Sequence, residues 1–205
     1  MIELNRHYAE LEESYLFAGI AQKVAAYEAA HPGARILRLG IGDVSLPLPE
    51  AVIAALHEGV DAQARAETFQ GYLPECGAPF LREAIARQYA ERGVALDAGE
   101  VFVSSGASDE LGDILDLFDA SSAALVVEPA YPAYVDANVI AGRRIVRLES
   151  GKDDGFAPWP DPAADADLIY LCSPGNPTGA HFTRDKLKAW VEFANARGAI
   201  ILFDA

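Results

Sequence analysis

The sequence is poor in cysteine and in positive charge. Its 205 residues include two cysteines, Cys76 and Cys172, which lie far apart in the chain. So few cysteines argue against a disulfide framework and against a zinc site. Sixteen basic residues stand against 31 acidic ones, which gives a net charge of −15. Because nucleic-acid binding depends on clustered Lys and Arg, we expect no nucleic-acid partner.

The chain also lacks long apolar runs. None reaches the roughly 18 consecutive residues that a bilayer-spanning helix needs. Residues 1–6 lack the basic-then-apolar pattern of a secretory signal. We therefore expect no membrane partner and a cytoplasmic location. With 51% apolar and 23% charged residues, the composition is that of a globular protein large enough to bury a sizeable core.

Short apolar runs alternate with amphipathic segments along the chain, which is typical of an α/β fold with a mostly parallel sheet covered by helices on both faces. In such sheets ligands bind at the carboxyl ends of the strands. The loop 149–165 is rich in Asp, Pro and Gly and is predicted to lie on the surface. The patterns predict helices over a segment ending near 31 and over 50–66, 79–92, 108–118, 133–141 and 183–196, and strands over 36–39, 101–104, 124–127, 144–148, 168–172 and 199–203.

Small residues follow the predicted strand 101–104. The run Ser105, Gly106, Ala107 and Ser108 leads directly into a predicted helix. Small side chains let an anion approach the backbone, and the N–H groups and the helix dipole favour a phosphate. The serine hydroxyls would add donors. The alternative is a tight strand-to-helix turn in which Gly and Ser serve only the geometry.

The most specific motif is the run 173–179, Ser-Pro-Gly-Asn-Pro-Thr-Gly, which follows an apolar strand. Its prolines restrict the backbone and its glycines permit close approach. The amide of Asn176 would then point into the crevice, where it can donate to a phenolate oxygen without adding charge. The alternative is a rigid turn with an Asx hydrogen bond.

Asp204 ends the last predicted strand, where a buried carboxylate needs a cationic partner. A protonated pyridine nitrogen is such a partner, and keeping that proton makes the ring an electron sink. The alternative is a turn residue or a helix cap. Tyr131 follows another apolar strand, with a proline near it on each side. Its ring could pack on a flat cofactor, or it could belong to the core.

Taken together, these motifs resemble the fold-type I pyridoxal-phosphate enzymes of the aspartate aminotransferase superfamily, and within it the LL-diaminopimelate aminotransferases. The resemblance implies an incomplete large, cofactor-binding domain over residues 47–205. An amino-terminal arm and part of a small domain would occupy residues 1–46. The likeness extends through residues 14–17, 39–43, 47–49, 67–72, 81–86, 131–142 and 171–179.

The resemblance implies pyridoxal 5′-phosphate as cofactor. The phosphate would bind at the start of the helix near 108, one aromatic ring would pack on the pyridine ring, an amide would bond to its O3′ and a carboxylate would pair with N1. In that order, the residues with these roles are Gly106, Ala107 and Ser108, then Tyr131, Asn176 and Asp204.

Further roles follow from the same resemblance. Tyr72 would reach the cofactor phosphate of a neighbouring subunit, which implies a homodimer. Tyr15, Gly42 and Glu75 would contact the amino-acid substrate. Glu75 is suited to a distal ammonium group, since an acidic residue is sensible at the far end of a substrate with two zwitterionic ends.

The expected function is transamination of LL-2,6-diaminopimelate with 2-oxoglutarate in lysine biosynthesis. The chain departs from the family where Ser108 replaces a Lys, Cys76 a Gln and Gly175 an Asn, and where Leu73-Pro74 precedes the glutamate. The loss of the Lys removes a cation beside the phosphate and the substrate. The alternatives are a fold-type I enzyme of different specificity, such as a β-lyase or another aminotransferase, and a non-catalytic cofactor-binding remnant.

The four lysines are Lys23, Lys152, Lys186 and Lys188, and each is interpreted as solvated charge that does not reach the cofactor ring. Transamination needs a lysine that forms a Schiff base with the cofactor. The resemblance places that lysine some strands after position 204, so no catalytic residue is identified here. We expect the chain to be the amino-terminal portion of a longer enzyme, without turnover by itself.

Overall fold

A computed structural model describes residues 2–11, 16–39, 42 and 44–205. The chain divides into two compact units. The first combines Met1–Leu11 with Ser104–Ala205, and the second is Glu12–Val103. We call them the sheet unit and the helical unit. Their bounds differ from the predicted domain boundary at 46/47, which stays a prediction. Within the described residues, no helix combines the length and the apolar character that crossing a membrane requires.

Four strands form one sheet in the sheet unit, in the order β2-β1-β3-β4, and all three pairings are parallel. The predicted parallel sheet is therefore confirmed. The strands are β1 (Ala124–Glu128), β2 (Ile145–Glu149), β3 (Leu168–Cys172) and β4 (Ile200–Asp204). The helices are α1 (Leu16–Ala30), α2 (Glu50–Gln63), α3 (Pro79–Glu91), α4 (Ala107–Asp113), α5 (Pro132–Ile140) and α6 (Arg184–Arg197).

Side chains that alternate along β1 and β3 build a core on each face of the sheet, as the pleat requires. On one face Leu125 and Ile169 pack with the fully buried Trp190 of α6. On the other face Val126 and Tyr170 pack with residues of α4 and α5. Helices therefore cover both faces, and the carboxyl ends of the strands share one edge.

Helix α6 begins and ends as its sequence predicts. The hydroxyl of Thr183 accepts the amide N–H of Lys186 at 3.4 Å, which caps the amino terminus. Gly198 ends the helix with φ +67°, a left-handed conformation that glycine adopts at little cost. Asp185 and Arg197 lie in the first and last turns, with the signs that the helix dipole favours.

Among its described residues, the helical unit buries few side chains. Helices α2 and α3, described from end to end, contain no buried residue. Its most specific packing surrounds the turn at Gly77, where φ is +102° and an added Cβ would lie 2.6 Å from the Cβ of Val103. Arg82 reinforces this region by donating to the carbonyl oxygens of Val101 at 2.8 Å and of Ala98 at 2.5 Å.

Two predicted strands are wrong, because neither 36–39 nor 101–104 forms a strand. A strand needs a neighbour to complete its ladder, and in the second segment groups outside any strand take that place. The amide of Val101 bonds to Ala98 O, Arg82 donates to Val101 O, and the amide of Val103 bonds to Cys76 O. In the first segment Leu37 and Leu39 are exposed.

One helix and one loop also differ from prediction. The helix predicted over 108–118 ends at Asp113 and continues as a 3-10 turn, Ile114–Leu117. The loop 149–165 lies only partly on the surface, since Ala157 and Pro158 are buried. Trp190 explains the burial, because its Nε1 donates to Pro158 O at 3.0 Å and draws the loop onto α6.

Candidate functional site

The first turn of α4 contains the residues predicted to bind a phosphate. Gly106 precedes the helix with φ +146°, and the space in front of its Cα is open. The amides of Asp109 and Glu110 bond to Gly106 O. In the first turn of a helix, the amides of Ala107 and Ser108 have no partner within the helix and are available to an outside acceptor. Both residues are exposed.

Ser105 differs from its predicted role. Its hydroxyl donates to the carboxylate of Asp109, one turn into α4. That hydroxyl therefore closes the turn in this structure instead of pointing at the open space. The donors that remain at this position are the backbone amides and the hydroxyl of Ser108.

Asp204 lies at the carboxyl end of β4, in register with Cys172 of β3. Its Oδ2 accepts a hydrogen bond from the hydroxyl of Tyr134, which projects from α5. Burial, and then this hydrogen bond, raise the pKa of Tyr134 far above the ordinary value of a phenol. The hydroxyl therefore keeps its proton and acts as a donor to the carboxylate.

An aromatic cluster surrounds this contact. Tyr134 stacks on Tyr170 of β3 with centroids 5.2 Å apart at 25°, and Tyr131 meets Tyr134 edge-on at 5.6 Å and 82°. The buried side chain of Asn138 donates from Nδ2 to Tyr134 O at 2.8 Å and to the hydroxyl of Tyr170 at 2.9 Å. Burial raises the pKa of Tyr170 although the Asn138 bond opposes it. Tyr134 and Tyr170 therefore keep their protons, and Asn138 joins the two residues through its amide.

Two pockets adjoin the cluster. Ala107 and Asp204 line an open pocket of about 300 Å³ between α4 and β4. Asn176 lines a second, narrower pocket with Tyr134, and Tyr170 borders both. The structure therefore brings Asp204 and the start of α4 to one pocket. It brings Asn176 and Tyr134 to the other, and the two pockets share Tyr170. Tyr131 reaches this group through its contact with Tyr134.

The remaining predicted residues belong to the helical unit or fall outside the description. Tyr72, Glu75 and Gly42 lie in the helical unit and are exposed. Tyr15 lies outside the described residues. The predicted cofactor contact of Tyr72 and the predicted substrate contacts of the other three stay predictions. Across the described residues, no three His, Cys, Asp or Glu side chains are grouped as a metal site would require.

Lys186 was predicted to be solvated charge, and that prediction is wrong. Its amine donates to Asp154 O at 3.0 Å and also to Ala157 O. It therefore holds the loop 149–165 on α6 and is not free to act at a distance. The same loop places Phe156, with φ +58°, along the narrow pocket that contains Asn176.

Sequence reasoning missed Tyr134 altogether. The available signal was its spacing, because residues three apart share a helix face and Tyr134 follows Tyr131 by three. That spacing could have suggested that both rings face one site. It could not have identified Asp204, which lies 70 residues away, as the partner.

Comparison with known proteins identifies the family of this chain. A model of the family "Aminotransferase class I and II" matches residues 34–205. The LL-diaminopimelate aminotransferase of Agathobacter rectalis is 45% identical, over 100% of this chain and 54% of that protein. The enzyme of the same name from Lachnospira eligens is 46% identical with the same coverage. The chain thus spans about half the length of the curated relatives it matches.

Solved structures give the same result for the fold. The L,L-diaminopimelate aminotransferase from Chlamydomonas reinhardtii superimposes with a TM-score of 0.86 at 33% identity, over 98% of this chain and 52% of that one. A mutant of Thermus thermophilus aspartate aminotransferase reaches 0.83 at 26% identity, over 99% and 53%. The parallel sheet with its helices is therefore part of the aminotransferase fold, whose members use pyridoxal phosphate and act on amino acids and 2-oxo acids. On its sequence and its fold, the chain belongs to the class I and II aminotransferase family.

Proposed function

We propose that this chain supplies the pyridoxal 5′-phosphate site of an aminotransferase that acts on LL-2,6-diaminopimelate and 2-oxoglutarate, in the cytoplasm and in lysine biosynthesis. Relatives at 45% and 46% identity carry that name over the whole length of this chain. The observation that carries the proposal is the position of Asp204. Its carboxylate stands at the carboxyl edge of the sheet, bonded to a buried phenol and bordering an open pocket.

The chemistry of the donor set fits the cofactor. Asp204 supplies an acceptor for the N–H of a pyridinium ring, and a carboxylate at a partly buried position favours a cationic partner. Asn176 offers an amide that can donate to the ring's phenolic oxygen. Tyr131 presents a flat aromatic surface next to Tyr134. The amides of Ala107 and Ser108 suit a phosphate, aided by the open space at Gly106.

Each of these residues would have a separate role at the site. When bound, the cofactor supplies an electron sink for charge that develops at the substrate Cα. Asp204 would hold the proton on the ring nitrogen, Asn176 would hold the phenolic oxygen, and Tyr131 would fix the plane of the ring. The first turn of α4 would anchor the phosphate, so that the reacting atoms stay in place while the substrates exchange.

The cofactor part of the proposal is tested on the chain itself. Pyridoxine 5′-phosphate lacks the aldehyde and cannot form a Schiff base with the lysines, so its binding reports the site alone. We expect saturable binding, measured by quenching of tryptophan fluorescence. Asp204→Asn should weaken it by about tenfold to a hundredfold, because it removes the negative charge opposite the ring nitrogen. Asp165→Asn, a change at an exposed surface carboxylate, is the matched control and should leave binding unchanged.

The substrate part is tested with pyridoxal 5′-phosphate, LL-diaminopimelate and 2-oxoglutarate, by measuring glutamate. We expect no turnover by the 205-residue chain, because none of its four lysines is assigned to the cofactor. A longer protein that contains this chain and a suitably placed lysine should turn over. Clear glutamate formation by the chain alone would contradict the assignment of the lysines.

A different amino-acid specificity is the second candidate, and Ser108 favours it. The expected family residue there is a Lys, and its loss removes a cation from beside the phosphate and the substrate. The likeness to an aspartate aminotransferase, with a TM-score of 0.83, supports the same alternative. Comparing LL-diaminopimelate with aspartate as amino donors in the longer protein separates the two candidates. A higher kcat/KM for aspartate would reject diaminopimelate as the physiological substrate.

We also propose that the active form is a homodimer in which Tyr72 of one subunit reaches the phosphate of the other. The full exposure of Tyr72 supports this role, since its hydroxyl is accessible to a partner. Light scattering after gel filtration measures the mass of the particle. A strictly monomeric protein that binds the cofactor with unchanged affinity after Tyr72→Phe would contradict the proposal.

A further inference from the structure

The side chain of Tyr134 is held by polar and aromatic contacts as well as by the apolar core. The side chain is 3% exposed, and its ring stacks on Tyr170. Asn138 donates both to the backbone carbonyl of Tyr134 and to the hydroxyl of Tyr170, so one amide joins the two stacked residues. Burial and stacking therefore restrict the direction in which the hydroxyl points.

That direction is the carboxylate of Asp204. The hydroxyl of Tyr134 donates to Oδ2, and a hydrogen bond to a charged acceptor is among the stronger ones in proteins. Because it engages one oxygen, it restricts rotation of the carboxylate and leaves Oδ1 as the acceptor for a ligand N–H. A carboxylate on an edge strand otherwise rotates freely about its last bond, since such torsions are broad.

We infer that Tyr134 is a positioning residue, which sets the orientation of the Asp204 carboxylate and thereby the strength with which this carboxylate binds a pyridinium-type N–H. The identity of the ligand rests on the proposed function, whereas the contact between the two side chains does not. Tyr134 acts through Asp204, so its contribution to ligand binding should disappear when Asp204 no longer bears a charge.

A purely structural role would have different consequences. Tyr134 lies in the same apolar cluster as Leu115, Val126 and Leu168, and any change there can lower stability. Leu168→Val is the matched control, because it trims a buried side chain of the same cluster that lines neither pocket. Leu168 lies at the other end of β3 from Cys172, the register partner of Asp204. A structural role predicts that both variants weaken ligand binding in proportion to the stability that they lose.

The first experiment needs no ligand. The chain is labelled with ¹³C at the aspartate carboxyl groups, and the Asp204 resonance is assigned as the one missing from Asp204→Asn. We expect Tyr134→Phe to shift this resonance, because the carboxylate loses its donor, and Leu168→Val to leave it in place. An Asp204 resonance unmoved by Tyr134→Phe overturns the inference.

The second experiment is a double-mutant cycle with pyridoxine 5′-phosphate as the probe, with stability followed in parallel by urea unfolding. We expect Tyr134→Phe to weaken binding about tenfold, as loss of one hydrogen bond to a charged group predicts. Leu168→Val should leave the affinity within about twofold of the wild type, within ordinary non-coupled variation. In the Asp204→Asn background Tyr134→Phe should have no further effect.

The outcomes separate this inference from the proposed function. Equal losses from Tyr134→Phe in both backgrounds would show a structural role and overturn the inference. If the unaltered chain does not bind pyridoxine 5′-phosphate, the proposed cofactor site is wrong. The carboxyl resonance then still decides whether Tyr134 positions Asp204.

Discussion

The sheet unit and the helical unit contain similar kinds of helix but differ in what those helices pack against. In the sheet unit, α5 and α6 contribute Tyr134 and Trp190 to cores on the two faces of the sheet. In the helical unit, apolar side chains of α2 such as Leu56 and Val60 are more than half exposed. Helical periodicity therefore places apolar residues on one side of a helix in both units. Those residues are buried only where the helix packs against another apolar surface, such as the sheet.

The two units also differ in the surroundings that they give to the candidate site residues. In the sheet unit the carboxylate of Asp204 accepts a hydrogen bond from a tyrosine that is itself buried and stacked. Gly42 and Glu75, the residues of the helical unit that were assigned to substrate, are exposed, and the described part of that unit places no comparable cluster around them. Comparing the two units therefore yields predictions about stability as well as about binding.

The largest effect is expected from matched truncations of leucine. Leu171→Ala in β3, where the side chain is 1% exposed, should cost about 2–5 kcal/mol through lost burial and a residual cavity. Leu56→Ala in α2, where it is 56% exposed, should cost less than about 1 kcal/mol. Urea unfolding followed by circular dichroism at 222 nm measures both. Equal losses would mean that the helical unit has a core comparable to that of the sheet unit.

A pair of glycine substitutions should change stability in opposite directions within the helical unit. Gly77→Ala should cost more than about 2 kcal/mol, because its φ is +102° and the new Cβ would collide with Val103. Gly59→Ala within α2 meets open space and should gain about 0.5–1 kcal/mol from helix propensity. The same unfolding assay applies. A stabilised Gly77→Ala variant would contradict the specific packing at this turn.

Within the sheet unit, a lysine pair on α6 tests the attachment of the loop. Lys186→Met should cost about 1–2 kcal/mol, because the carbonyls of Asp154 and Ala157 lose their donor. It should also shift the emission of Trp159, since the amine lies 6.0 Å from that ring. Lys188→Met is the control, because this side chain is 74% exposed, and it should change stability by less than about 0.5 kcal/mol. If the two variants lost the same stability, Lys186 would be a solvated charge that does not hold the loop.

The smallest effect concerns alkaline pH. A pKa raised in the folded state means that native Tyr134 and Tyr170 keep a proton that the unfolded chain loses above pH 10, near the ordinary phenol pKa. The two protonated phenols contribute fully to the free energy of unfolding below that pH. As the pH rises above it, this contribution falls by up to about 1.4 kcal/mol per pH unit for each group. At about pH 10.5 the loss for one group is under about 1 kcal/mol.

Tyr134→Phe removes one of these groups, so the decline of stability above pH 10 should become shallower while the slope below pH 10 is unchanged. Urea midpoints of the two proteins across this range, followed by the fluorescence of Trp190, measure the slope in the sheet unit. An unchanged slope would show that Tyr134 ionises as easily in the native state as in the unfolded chain.

Much of the sheet unit could be predicted from its sequence, because its elements are locally encoded. The apolar run 168–172 predicts β3 with the observed bounds, and Thr183 and Gly198 bracket α6 as their capping chemistry requires. Asp204 was placed at the end of its strand by the same pattern. Short-range chemistry was sufficient in each case, since caps and periodicity involve neighbours only a few residues away.

Predictions failed where the outcome depended on distant partners. The residues at 101–104 have strand character but no strand forms, because the side chain of Arg82 and the carbonyl of Cys76 take up their backbone groups. Lys186 looked solvated by composition, yet a loop about thirty residues earlier supplies its acceptors. In both cases the deciding contact comes from a segment that local pattern does not connect to the residue.

The amino-acid sequence by itself determined the fold class, the sheet's alternation of strand and helix, and the residue types gathered near its carboxyl edge, because these follow from periodicity and from the chemistry of individual side chains. Only the tertiary structure decided that the phenol of Tyr134 meets Asp204, and that Asn138 links the backbone of Tyr134 to the hydroxyl of Tyr170. The physical reason is that a hydrogen bond between residues 70 positions apart exists only after packing has fixed both of their elements.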